Sequence, residues 1–139
     1  MSAPSPDASL QPQVARRLRL GRRSRLAHSR DFARVRQMGE RLVQGCLIAN
    51  WHQLPAGSAA RLGVVTSKKI GGAVVRARAR RLLRESFRRH QFALARPVEL
   101  VLVARNSIAG KKFAAVEKDY LTALKRAGLW KTAAESIDA

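Results

Sequence analysis

The chain has 139 residues, and 28 Lys and Arg against 9 Asp and Glu give it a formal charge of +19 at pH 7. With 46% hydrophobic residues it holds enough apolar material for one compact core, which excludes both a two-domain enzyme and a wholly disordered tail. The longest apolar runs, such as Val98 to Ala104, fall far short of the roughly eighteen residues that span a bilayer, so no membrane partner is expected.

Cys46 is the sole cysteine, which rules out an internal disulfide framework, and the first residues lack the apolar stretch of a secretory signal. A reducing cytoplasm is the expected compartment. An Arg-rich start also suits an organelle transit peptide, but Pro4, Pro6, Asp7 and Pro12 would interrupt its amphipathic helix.

Taken in chain order, residues 1–21 are expected to form a flexible basic extension, 22–130 the folded domain and 131–139 a flexible tail. Ser29 suits an N-cap, Asp31 the positive end of a helix, and Phe32 and Val35 share one face before Gly39 stops it. Leu42 to Trp51 and Arg61 to Ser67 read as paired antiparallel strands across the loop Leu54 to Ser58, with Gly45 marking a bulge or a break into two strands. After Gly71 and Gly72 the period becomes helical, with Val75, Ala79, Leu82, Leu83 and Phe87 on one side. Arg80, Arg81, Arg84 and Arg88 fall opposite, and Arg76 and Arg78 sit on the flanks near the N-terminal end. That helix ends before Pro97. Val98 to Ala104 then reads as an interior strand, and Phe113, Val116, Tyr120 and Leu124 mark a last helix closed by Gly128. The fold class is α+β, a two-layer sandwich in which the basic helix is the crossover of a βαβ unit; the general rule would make that crossover right-handed.

The charge is concentrated. Nine basic residues lie between Arg16 and Arg36 and nine more between Lys68 and Arg89, and the second window contains a single acid, Glu85. Arg outnumbers Lys by 21 to 7. A guanidinium grips phosphate through two parallel hydrogen bonds and stacks on bases, so a polyanion is the expected partner, not a small molecule. Catalytic constellations are scarce. His28, His52 and His90 are far apart in sequence, no cysteine pairs with them, and no carboxylates stand at metal-ligand or acid/base spacing. No catalytic residue and no metal-binding motif is assigned to the chain.

The stretch from Ser67 to Phe87, Ser-Lys-Lys-Ile-Gly-Gly-Ala-Val-Val-Arg-Ala-Arg-Ala-Arg-Arg-Leu-Leu-Arg-Glu-Ser-Phe, resembles the signature of the bacterial ribonuclease P protein component without an insertion. The likeness extends upstream through Arg30-Asp31-Phe32-Ala33-Arg34-Val35 and downstream through the apolar strand and final helix. The resemblance implies a fold of the ribosomal protein S5 domain 2-like type, with a central mixed sheet of about four strands and a left-handed βαβ crossover carrying the basic helix. It implies an RNA-binding subunit of a ribonucleoprotein endonuclease. The catalytic RNA of that assembly removes the 5′ leader from precursor tRNA, using Mg2+ held mainly by the RNA. Carried over by position, Lys68, Lys69, Arg76, Arg78, Arg80, Arg81, Arg84 and Arg88 would meet the catalytic RNA, and Phe32, Arg36 and Asn50 would line a leader-binding cleft. Arg36 stands where the family has a second aromatic, Asn50 where a strand aromatic is common, and Ala77 where an Asn separates two basic residues; Trp51 falls on the opposite face of its strand. The alternative is a ribosomal or other structured-RNA-binding protein with no part in cleavage.

Overall fold

The computed structural model describes residues 25, 26 and 28–131. The expected basic extension at 1–21 lies outside the described residues, as does the tail beyond Lys131. Lys131 itself is tied down, its N–H donating to the Ala93 carbonyl at 2.6 Å.

Helix α1 spans Ser29–Met38. His28, with extended backbone, takes the N-cap place expected for Ser29, and no side chain caps the helix. Asp31 lies in the first turn as expected, but it is buried and bound to Arg34 at 3.0 Å. Gly39 ends the helix with its N–H on the Val35 carbonyl at 2.9 Å. Its backbone is ordinary extended chain; glycine is required because a Cβ would collide with the Trp51 carbonyl.

The expected strand over Leu42 to Trp51 is a hairpin. Strands β1 (Glu40–Gln44) and β2 (Leu47–Gln53) pair antiparallel about Gly45, whose φ of 52° suits glycine, so the break and not the bulge is realised. The Asp119 carboxylate holds this turn by accepting the Cys46 N–H at 3.0 Å. Strand β3 (Arg61–Val65) does not pair with β2, which corrects the expected antiparallel pair. Strand β4 (Val98–Ala104) inserts between them, antiparallel to β2 and parallel to β3, in the order β1-β2-β4-β3. The cause is apolarity: β4 is buried on both faces at every position except Val103, and only a central place supplies neighbours on both edges and cover on both faces.

Alternation along the strands then sorts the molecule into two layers of contact. Leu47, Ala49, Trp51, Leu62, Leu100 and Leu102 form the main core with Ala79, Leu83 and Phe87 of helix α2 (Ala73–His90) and Val116, Tyr120 and Leu124 of helix α3 (Phe113–Arg126). On the opposite face, Val101 packs with Val35 of α1 and with Leu26, flanked by Phe32 and Val103. Helix α2 is the crossover from β3 to β4, as expected, and is tied to α3 where His90 Nε2 lies 2.9 Å from Glu117 Oε2. Gly128, at φ 73°, closes α3, and the Leu129 N–H reaches back to the Leu124 carbonyl at 2.9 Å. Among the described residues no helix is long and apolar enough to cross a membrane.

Candidate nucleic-acid interface

Helix α2 places its small and apolar side chains Ala79, Leu83 and Phe87 inward, which forces its arginines outward or onto the flanks. Spacing of four residues sets Arg76, Arg80 and Arg84 in one row along the flank next to β3. Arg80 Nη1 donates to Thr66 Oγ1 at 2.8 Å, just beyond the end of β3. The Nε of Arg76 is buried without a hydrogen-bond partner. Partial burial, and then repulsion from Arg25 and Arg80, pulls Arg84 below the usual arginine value. Arg25 is brought there by the fold: it bridges to Leu62 on the outer edge of β3, and the neighbouring Leu26 N–H donates to the Leu62 carbonyl at 2.8 Å.

Lys68 and Lys69 are exposed on a short 3-10 turn, Lys68–Ile70, that leads into α2. Together with Arg76, Arg78, Arg80, Arg81 and Arg84 they carry no ion pair with an acid among the described residues. Arg88 differs. Glu85 accepts its Nε at 2.8 Å and also takes the Arg89 Nε at 2.8 Å, and these two arginines hold the Glu85 carboxyl down at about 2. Arg89 further stacks over the Phe113 ring at 4.7 Å. The C-terminal third of α2 is thus partly compensated, one carboxylate being shared by two arginines, while its first three turns present cations gathered at a cost in mutual repulsion. Such a surface is suited to a line of phosphates.

On the other face of the sheet, Phe32, Arg36, Asn50, Val65, Val101 and Val103 line a groove of about 240 Å³. The three residues expected in a cleft are therefore brought together. Phe32 packs closely against β3 because Gly63 has no side chain; a Cβ there would stand 2.5 Å from Phe32 Cε1. Asn50 is paired with Val101 across the β2–β4 ladder, which puts its amide over the groove floor, and Trp51 is buried on the opposite face as expected. The groove offers one aromatic face, one planar cation, one amide and an apolar floor, a combination fitted to an unpaired base with its backbone.

Sequence reading missed Arg25, the Gly63 seat and the valine floor; it also missed the two carboxylate partners of histidines, Glu117 beside His90 and Glu99 at 3.6 Å from His52 Nδ1. Among the described residues no group of three or more His, Cys, Asp or Glu could hold a metal ion.

Comparison with known proteins gives a consistent picture. The family model described as Ribonuclease P matches residues 20–128. The chain is similar to the ribonuclease P protein component of Syntrophomonas wolfei, 37% identical over 119 residues that cover 86% of this chain and 99% of that one. It is also similar to that of Brevibacillus brevis, 33% identical over 112 residues covering 81% and 89%. Among solved structures, the RNase P protein from Thermotoga maritima superposes with a TM-score of 0.65 at 28% identity, covering 73% of this chain and 96% of that one. The Staphylococcus aureus RNase P protein superposes with a TM-score of 0.71 at 23% identity, covering 77% and 97%, a likeness of fold.

Proposed function

The chain belongs to the ribonuclease P protein family, and from that premise we propose that it docks through α2 on a catalytic RNA and through the α1 cleft on the 5′ leader of precursor tRNA. It is the RNA-binding subunit of the ribonuclease P holoenzyme. The observation that carries the docking reading is the run of Lys68, Lys69, Arg76, Arg78, Arg80, Arg81 and Arg84, uncompensated by any acid among the described residues. Phosphates supply the missing counter-charge, and each one neutralised releases condensed counterions.

In this reading the hydrolytic chemistry belongs to the RNA, with magnesium ions held by the RNA. The buried acids among the described residues do not fit a metal: Asp31 and Glu99 are taken up by Arg34 and Arg61. Its part is to bind, align and screen. Phe32 stacks on a leader base, Arg36 and Asn50 contact that nucleotide's edge or backbone, and the α2 cations reduce the repulsion between RNA and substrate that magnesium would otherwise have to offset.

The test is cleavage of precursor tRNA at low magnesium with protein, cognate catalytic RNA and both together. Activity at low magnesium only when both are present supports the reading; equal activity of the RNA alone, or cleavage by the protein alone, overturns it. A companion measurement reads the cleft: Phe32→Ala is expected to reduce the preference of the holoenzyme for precursor over mature tRNA while leaving its assembly intact.

A further inference from the structure

We propose that Glu99 and Arg34 form an ionic clamp that fixes α1 against the sheet and thereby positions the cleft for a single strand of RNA; this rests on the cleft reading above. Glu99 stands two residues before Val101 on β4, on the same face as the groove floor, and is 1% exposed. The ladder sets His52 of β2 and Arg61 of β3 on either side of it. Arg34 descends from α1, its Nε donating to Glu99 Oε1 at 2.9 Å and its Nη2 to Glu99 Oε2. The same Nη2 is 3.0 Å from Asp31 Oδ1. Arg61 completes the ring, with Nη1 3.4 Å from Glu99 Oε2 and Nη2 3.8 Å from Asp31 Oδ2.

A carboxylate buried this deeply is retained only when cations and donors surround it, so the four charges form one unit. The apolar contact of Val35 with Leu26 and Val101 holds α1 down, but hydrophobic attraction is non-directional and does not by itself select the rotation of the helix. The forked guanidinium is directional: two N–H groups must meet two carboxylate oxygens, which fixes both the height and the rotation of the helix. Arg34 lies two residues from Phe32 and two from Arg36, and Glu99 two from Val101. A shift at the clamp therefore moves the aromatic and the cation relative to Asn50 and the valine floor. Arg34 and Glu99 are positioning residues, acting on the leader through Phe32 and Arg36.

The experiment uses the holoenzyme assembled from the full chain and its cognate catalytic RNA. Arg34→Met and Glu99→Gln are compared with the unaltered protein for affinity toward precursor tRNA, mature tRNA and the catalytic RNA itself. The expected result is a loss of about 10- to 100-fold in the preference for precursor over mature tRNA, with affinity for the catalytic RNA unchanged and Arg34→Lys intermediate. If Glu99→Gln does not fold, Arg34→Met decides, because it leaves Glu99 paired with Arg61. The proposal is overturned if folded Arg34→Met keeps the preference, or if its affinities for precursor tRNA and for the catalytic RNA fall together. Loss of the underlying cleft reading shows separately, as a Phe32→Ala holoenzyme that still prefers precursor.

Discussion

Replacing both Arg80 and Arg84 by Gln is expected to flatten the salt dependence of binding to the catalytic RNA without destabilising the fold. Seven cations of α2 and the turn before it lack an acid partner among the described residues. Each phosphate they neutralise contributes roughly 0.7 to 0.9 to the slope of log affinity against log salt, so full engagement gives a slope of about −5 to −6 and a loss of about 10³ to 10⁴ between 50 and 200 mM salt. Removing two contacts should lower the magnitude of that slope by about 1.4 to 1.8. The fold loses the Arg80 bond to Thr66, worth about 1 kcal/mol, but gains relief from the repulsion among Arg25, Arg80 and Arg84. The assay is an equilibrium titration of labelled catalytic RNA at several salt concentrations, paired with denaturant unfolding of the free protein. Arg88→Gln is the internal control: Glu85, shared with Arg89, already offsets part of that charge, so its slope should change less than that of either single variant in the row. An unchanged slope in the double variant, or an equal flattening by Arg88→Gln, refutes the assignment of the docking surface.

Gly63→Ala is expected to push the Phe32 ring off β3, since the new Cβ would stand 2.5 Å from Cε1 and 2.8 Å from Cζ; a cost of about 1–3 kcal/mol in denaturant unfolding, together with weaker leader discrimination, checks it. Burial raises the Asp31 carboxyl, but its hydrogen bond to Arg34 and the charges of Arg34 and Arg61 outweigh that and hold it below the usual range. Its contribution to stability is therefore present above the ordinary carboxylate value and is lost as pH falls through the depressed one. The same sign holds for Glu85, whose contribution fades between 4.5 and about 2. Being a partly exposed pair it is worth under about 1 kcal/mol, so the melting temperature of Glu85→Gln should lie just below that of the parent at neutral pH and converge with it in acid. Cys46, pushed up to about 12 by burial and then by the Asp119 carboxylate, should resist thiol reagents at pH 8 in the folded protein and react fully in denaturant.

Helices were legible because their periodicity is local: the inward run of Ala79, Leu83 and Phe87 and the stop at Gly39 are both visible within a few residues. Strand pairing was not. Arg61 to Ser67 follows Leu42 to Trp51 in the chain and invites an antiparallel pair, yet β4 takes the place between them because its apolar residues need neighbours on both sides. That competition is settled by the whole sheet, not by either strand. The basic face was readable as composition, whereas its division at Glu85 was not, since only side-chain geometry shows that one carboxylate is shared by Arg88 and Arg89. Arg25 joins the row through a bridge to Leu62, a long-range contact with no local mark. Glu99 was hidden for the opposite reason: inside a nearly all-apolar strand it reads as an exception, and its partners Arg34, His52 and Arg61 come from three separate elements.

The two proposed RNA contacts of this subunit share one scaffold. Along β4, Leu100 and Leu102 support the layer that carries α2, and Glu99, Val101 and Val103 support α1 and the groove. Because successive residues of one strand cannot slide relative to each other, the docking helix and the cleft are held in a fixed relation through a close-packed interior. Under the proposed docking of α2 on the catalytic RNA, this relation fixes where the leader must run, and an aligned leader fixes the tRNA. A small subunit can contribute to cleavage in this way, by converting two separate RNA contacts into one geometry.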